Sequence, residues 1–188
     1  GRAGWNGPVQ PLAVIGTWIP VNRPVRYADG RVEHIARYRI EPRMIPDLTV
    51  PILVEHQGEP MGWVRGVAVV EGQIRYIGMV TDERLAQVIH LTGLSTTVGG
   101  KGDELHTFEV TATRTPAADG TSWRPVGYGL SACAEAATAL ISADRADREA
   151  ARQAARKMAL ERGHLNVLAP EVRRAIAAPR ILTAGRVS

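Results

Sequence analysis

The chain is short of most of the residue types that mark specialised scaffolds. Of 188 residues one is cysteine, Cys133. A single thiol forms no intrachain disulfide, so a staple-dependent secreted scaffold and a thiolate zinc cluster are both excluded. No apolar run approaches the roughly 20 residues that span a bilayer. The start, Gly1-Arg2-Ala3-Gly4-Trp5, has neither a methionine nor the apolar stretch of a signal peptide, and the default expectation is a cytoplasmic protein. Lysine is almost absent: Lys101 and Lys157 stand against 21 arginines. Aromatic residues make up 5%.

What is present is ordinary for a folded domain. The hydrophobic fraction is 45% and the charged fraction 22%, enough to build one core at this length. The net charge is +4, which permits an acidic partner, but without a clustered basic face nucleic acid is not an expected one. That charge is unevenly placed. Residues 1–130 hold 13 basic and 13 acidic side chains, whereas residues 131–188 hold 10 and 6.

The same boundary divides the patterning. Residues 1–130 carry short β-branched runs between Gly and Pro, predicting strands at Leu12–Trp18, Glu33–Ile40, Val50–His56, Gly62–Val70, Gln73–Met79 and His106–Thr113. Val70-Glu71-Gly72-Gln73 reads as a hairpin turn with Gly at positive φ. A helix is expected from Asp82, its cap, through Leu91, with Gly93 ending it. From Ser131 to Arg162 an uninterrupted Ala- and Arg-rich stretch predicts a long helix with Gly163 as its stop. Its thin Ala face, with Leu140, Ile141 and Met158, suits packing on another helix. A second short helix is expected to begin at Pro170 and end before Pro179. The picture is a β-rich body followed by a helical segment.

General motifs of chemistry mostly fail. There is no HExxH, EF-hand loop or strand-linked GxGxxG. Ser95-Thr96-Thr97-Val98-Gly99-Gly100-Lys101-Gly102 misses a phosphate loop at both ends and reads as a solvated Gly-rich loop. His34, His56, His90, His106 and His164 have no metal-ligand spacing, so neither a metal nor a cofactor is expected. What remains is a serine, a histidine and a carboxylate. A hydroxyl nucleophile needs a base within reach, and that base needs a third group to hold its tautomer. His56 ends a strand, Ser95 follows the helix stop among small neighbours, and Glu109 alternates with Thr107, Thr111 and Thr113 opposite Phe108 and Val110.

Three segments carry a resemblance. Leu53-Val54-Glu55-His56-Gln57-Gly58-Glu59-Pro60-Met61-Gly62 resembles the LxxHD…PIG segment of the tailed-phage prohead (capsid maturation) proteases. Thr92-Gly93-Leu94-Ser95 is similar to that family's GLS nucleophile segment, and Phe108-Glu109-Val110-Thr111-Ala112-Thr113-Arg114-Thr115-Pro116-Ala117 to its LxEvSlVxxPAn strand. All three stand in the family's order. Arg37-Tyr38-Arg39-Ile40-Glu41-Pro42 is more faintly similar to its E.i.PGaf stretch, and the tail has no counterpart. The chain departs at Gln57 (usually Asp), Thr111 (usually Ser) and Thr96-Thr97 (often Ile-Gly).

The resemblance implies an α+β fold like that of the herpesvirus assembly protease: a mostly antiparallel β-barrel flanked by helices, here at residues 1–130, with residues 131–188 a helical segment for packing, dimer contact or scaffold docking. It implies a serine endopeptidase with Ser95 as nucleophile, His56 as base and Glu109 orienting it. Amides near Thr96, or in the loop containing Arg114, would receive the oxyanion. Expected partners are the scaffold segment of the major capsid protein, the chain itself, and further copies in a homodimer or higher oligomer. The expected place is the host cytoplasm, inside assembling proheads. His106 competes with Glu109 as third member, because herpesvirus relatives use a second histidine. Ser131, in a second Gly-Leu-Ser, competes with Ser95 but reads as a helix N-cap and breaks the family order. Glu55 and Glu59 read as solvated rim charges, Trp18 and Trp63 as core or barrel-edge aromatics. A non-catalytic assembly protein with the same fold and an unrelated serine esterase or amidase are the alternatives.

Overall fold

The computed structural model describes residues 10–33, 40–101 and 104–163. The chain runs through β1 (Leu12–Pro20), β2 (Val25–Arg26), β3 (Val32–Glu33), β4 (Arg43–Met44), β5 (Pro51–Val54), β6 (Gln57–Val70) and β7 (Gln73–Val80). Then come α1 (Glu83–Val88), a single 3-10 turn (Ile89–Leu91), β8 (Gly93–Lys101), β9 (Glu104–Thr113), β10 (Ser122–Tyr128) and α2 (Leu130–Gly163). The strand expected over Glu33–Ile40 falls mostly, and the helix after Pro170 wholly, outside the described residues, as do His34 and His164.

The main sheet has the order β10-β1-β7-β6-β5-β9-β8, with β4 paired on β6, while β2 and β3 form a separate ribbon. Its ladders are antiparallel except β5 with β9, which run parallel. The fold is thus mixed α+β and mostly strands, but the sheet is not closed into a barrel. The end strands β8 and β10 share no ladder. Side chains fill the gap between them instead: Thr121 Oγ1 accepts the Leu94 amide at 3.0 Å, and Leu94 and Trp123 both press over Gly16. A Cβ at Gly16 would lie 2.4 Å from Leu94 Cδ1 and 2.8 Å from the Trp123 ring, so only glycine admits that wedge.

Both faces of the sheet are covered. On one, Val14, Ile52, Val64, Ile74, Tyr76, Leu94, Val110 and Trp123 form the larger core, with Trp18 against Tyr76 at 6.4 Å between ring centroids. On the other, Ala13, Ile15, Ala68, Val70, Ile77 and Met79 receive Cys133, Ala137 and Leu140 of α2. The thin Ala face therefore packs on a sheet, where small residues let helix and strands approach closely, and not on another helix. β1 is buried along nearly its whole length because alternate residues enter different cores.

α2 also closes an open edge. β4 covers β6 only at Gly66 and Val67, and beyond it two carboxylates one helical turn apart take the exposed amides. Asp144 accepts from Val69 N–H at 2.6 Å and Asp147 from Glu71 N–H at 3.1 Å. Arg148 pairs with Asp144 and donates to the Ile40 carbonyl at 2.6 Å. An edge that would otherwise template aggregation is thus covered by helix side chains.

Local expectations fare unevenly. Glu71 (φ 53°) and Gly72 (φ 72°) make the expected β6–β7 turn, and Asp82 caps α1 by accepting from Leu85 N–H at 3.0 Å. Gly93 does not end that helix. Thr92 does, donating to the Ile89 carbonyl at 2.6 Å, and Gly93 opens β8, where a Cβ would strike Pro116 at 2.6 Å. The stretch from Ser95 to Lys101 is a strand, not a loop, since its pairing with β9 supplies the order that its glycines do not. β10 was not expected. Pro125 lies within it, which is tolerated because β10 ends the sheet and its missing donor leaves no ladder bond broken on the open side. Ser131 lies inside the first turn of α2, which begins at Leu130, so it is not the cap.

Candidate active site

β8 and β9 present a common outer face. Their register pairs Ser95 with Thr111 and Thr97 with Glu109, but then Val98 with Thr107, leaving Phe108 as an extra residue. That bulge reverses the alternation. Thr107 turns inward and bonds the buried Tyr76 hydroxyl at 2.7 Å, so it does not share the face of Glu109, as uninterrupted alternation had suggested. Phe108 is pushed into solvent, 60% exposed, against Gly99, where a Cβ would sit 2.8 Å from its ring.

His56 reaches this face from the side. β5 runs parallel to β9, pairing Ile52 with Val110 and Val54 with Ala112. The hairpin back into β6 is a two-residue turn, Val54 opposite Gln57, with Glu55 (φ 52°) and His56 (φ 60°) both left-handed. Such turns favour Asn-Gly, and L-residues with a Cβ pay about 1–2 kcal/mol each for that conformation. Further along β6, Gly62 is required by space: a Cβ there would lie 2.1 Å from the Met79 carbonyl oxygen.

The turn brings three side chains into a row. His56 Nε2 lies 3.1 Å from Ser95 Oγ, and His56 Nδ1 lies 2.5 Å from Glu109 Oε1. Glu109 gathers two further donors, Thr97 Oγ1 to Oε1 at 2.6 Å and Thr111 Oγ1 to Oε2 at 2.9 Å. A carboxylate accepts only, so Nδ1 carries the imidazole proton and Nε2 is left to accept from the serine hydroxyl. Burial grades along the row: the Glu109 side chain is 12% exposed and that of His56 44%. The imidazole is open to solvent while the carboxylate bonded to it is enclosed. This arrangement can deprotonate an attacking hydroxyl and hold the resulting imidazolium.

The competing residues lie elsewhere. His106 sits opposite Gly99 and faces Glu104, its Nε2 3.8 Å from Oε2. Ser131 lies on α2. The Arg114 amide is already engaged, donating to Glu55 Oε1 at 2.9 Å, so in this structure it is not a free donor for an oxyanion. Thr96 faces inward from β8 with its hydroxyl buried and unpartnered. Cys133 is buried on the sheet-facing side of α2, and burial pushes its thiol pKa up, away from the nucleophilic thiolate. Among the described residues no group of three or more His, Cys, Asp or Glu converges to hold a metal ion.

Sequence reading missed the supports of the row. Thr97 entered only as a departure from a motif, Thr111 as a departure and as a neighbour of Glu109 by alternation with no role given it, and Glu55 as a rim charge. The Glu55 carboxylate accepts from the Arg114 amide and from Thr113 Oγ1 at 2.8 Å, and these bonds hold its pKa below the usual range. Period-2 alternation places Thr111 and Thr113 beside Glu109. Nothing local gives the β5–β9 pairing that puts Glu55 beside them.

No protein-family model matches the chain, and no curated protein does. Among solved structures it is similar to Kaposi's sarcoma-associated herpesvirus protease. Against that protease in complex with a dimer disruptor the identity is 15% and the TM-score 0.44, covering 69% of this chain and 90% of the other. Against the complex with the allosteric inhibitor compound 733 the values are 20% and 0.43, covering 65% and 80%. Against the complex with a hexapeptide phosphonate inhibitor they are 17% and 0.40, and there the match covers 60% of this chain and 63% of the protease.

Proposed function

We propose that the chain is a serine endopeptidase of capsid maturation, cutting the scaffold region of a tailed-phage major capsid protein, and its own chain, inside the assembling prohead in the host cytoplasm. The observation that carries the catalytic part is the row Ser95 Oγ–His56 Nε2–Nδ1–Glu109 Oε1, at 3.1 and 2.5 Å. The substrate rests on the three motif segments, which stand in the order of the prohead proteases and contain these three residues.

In this reading Ser95 Oγ attacks the scissile carbonyl carbon while His56 Nε2 takes its proton. The tetrahedral intermediate collapses as His56 returns that proton to the leaving amine nitrogen, giving an acyl-serine. Water then attacks the acyl carbon through the same base, and Ser95 leaves with the proton. Glu109 stays ionised, holding the tautomer and stabilising the imidazolium. Ser95 lies on a strand at one end of the sheet order, so an extended peptide can pair along β8. The alternation that aims the Leu94 amide at Thr121 turns the Thr96 amide away from β9 as well, making it the donor proposed for the oxyanion. Residues 1–130 carry the catalysis. Residues 131–188 pack, dimerise or dock on scaffold, through the outer turns of α2, where Leu160 is 72% exposed.

The test is mass spectrometry of the capsid protein co-expressed with the wild-type chain or with Ser95→Ala. Loss of the scaffold segment with wild type and its retention with Ser95→Ala are expected. Equal cutting by the mutant overturns the assignment. Rapid hydrolysis of small acyl esters with the capsid protein left intact would make the chain an esterase, and neither reaction would leave it a non-catalytic assembly protein.

A further inference from the structure

The turn that carries His56 has an anchor outside the Ser–His–Glu row. Its backbone is tied to β9 twice: Glu55 N–H donates to the Ala112 carbonyl at 3.2 Å and His56 N–H to Thr111 Oγ1 at 3.1 Å. The Glu55 side chain then reaches one step further along β9, to Thr113 Oγ1 at 2.8 Å and the Arg114 amide at 2.9 Å. Thr113 Oγ1 in turn accepts from Thr115 N–H at 3.0 Å, so the carboxylate closes onto a strand end that is itself ordered. Both turn residues are left-handed and neither is glycine. A conformation that their own backbones disfavour persists only where surrounding bonds determine it. Left without the carboxylate, the turn would keep its two amide bonds but lose the contacts that fix its rotation about β9, and the imidazole rides on that rotation.

We infer that Glu55 is a positioning residue: its carboxylate clamps the left-handed Glu55-His56 turn onto Thr113 and Arg114 and so holds the imidazole of His56 between Ser95 and Glu109. The inference rests on the protease reading for its kinetic consequence, but the clamp is a claim about geometry. Glu55 touches no reacting atom. Its effect falls on the chemical step, because a small rotation of the turn lengthens the Nε2–Ser95 contact without altering the strand along which a peptide would lie.

Two readouts on the full-length chain separate a clamp from a general support of the fold. One is the rate at which a small fluorophosphonate labels Ser95, a reagent with no peptide to bind. The other is the downfield proton resonance of His56 Nδ1–H bonded to Glu109, assigned by its loss in His56→Gln. In Glu55→Ala, labelling should slow at least tenfold and the resonance should broaden or vanish. Glu55→Gln keeps a carbonyl acceptor and should stay within about threefold of wild type. Thr113→Val should slow labelling to a lesser degree, and the double variant with Glu55→Ala should be no slower than Glu55→Ala alone, since both remove one clamp. Wild-type labelling and an intact resonance in Glu55→Ala overturn the clamp, as do additive effects in the double variant. Should Glu55→Ala fail to fold, Thr113→Val decides by the same two signals. A wild-type chain whose Ser95 never labels overturns the protease reading instead, and the resonance alone then decides the clamp.

Discussion

The hydroxyl of Thr111 accepts the backbone N–H of His56 at 3.1 Å and donates to Glu109 Oε2 at 2.9 Å, so one fully buried side chain holds both His56 and the carboxylate bonded to its ring. Thr111→Val keeps the shape and removes both bonds. The His56 amide and one carboxylate oxygen each lose a partner, costing about 1–3 kcal/mol for a buried unsatisfied group. Urea denaturation should show that loss, and kcat for the cleaved peptide should fall roughly tenfold with KM little changed. Thr111→Ser should restore both.

Glu109→Gln should be more severe for catalysis than for folding. The amide can turn its NH2 toward His56 Nδ1, which then accepts, and the proton moves to Nε2, where it cannot receive the serine proton. A fall in kcat of about 10³–10⁴ is expected, as for carboxylate-to-amide changes in other triads. Circular dichroism and KM should stay close to wild type.

Asp144→Ala tests the helix-capped edge. It leaves Val69 N–H without an acceptor and Arg148 without its partner on the same helix. A loss of about 1–3 kcal/mol is expected from urea midpoints. Because Asp144 bonds to β6 at Val69, whereas the Ser95 row sits on β8, β9 and the β5–β6 turn, kcat per folded molecule should not change.

Acid should destabilise the chain in a defined direction. Glu55 is held below the usual carboxyl range by the Arg114 amide and then by Thr113, and Asp82 by the Leu85 amide that it caps. A carboxyl whose folded pKa is depressed binds its proton more readily unfolded, so its contribution is complete above the unfolded value near 4 and is lost as pH falls through the folded one. Urea midpoints should therefore hold steady above about pH 5 and fall below pH 4. The fall should be shallower in Glu55→Gln, which has no proton to take up. An equal slope in that variant would show that other carboxyls carry the acid sensitivity.

Much of the body was legible locally. β1, β6, β7 and β9 declare themselves by β-branched runs, α1 by its Asp82 cap, and α2 by a long stretch of Ala and Arg. β8 and β10 were not legible, because Gly99, Gly100 and Pro125 argue against strands when taken alone and are accommodated only by neighbours and by position in the sheet. The bulge at Phe108 hid for the same reason. It is a mismatch between two strands, and neither strand's own pattern records it.

The sequence by itself determined the partition into a neutral strand-rich stretch and an Arg-bearing helical one, and it selected Ser95, His56 and Glu109 through order and motif. Only the tertiary structure decided that the sheet stays open, that α2 packs on it through alanines and caps β6 with Asp144 and Asp147, and that Glu55 bonds to Thr113 and Arg114. These outcomes depend on contacts between residues tens of positions apart, above all the parallel pairing of β5 with β9. Local propensity extends only a few residues along the chain, while a hydrogen bond across 53 residues, such as that of His56 with Glu109, exists only once the strands between them have found their order.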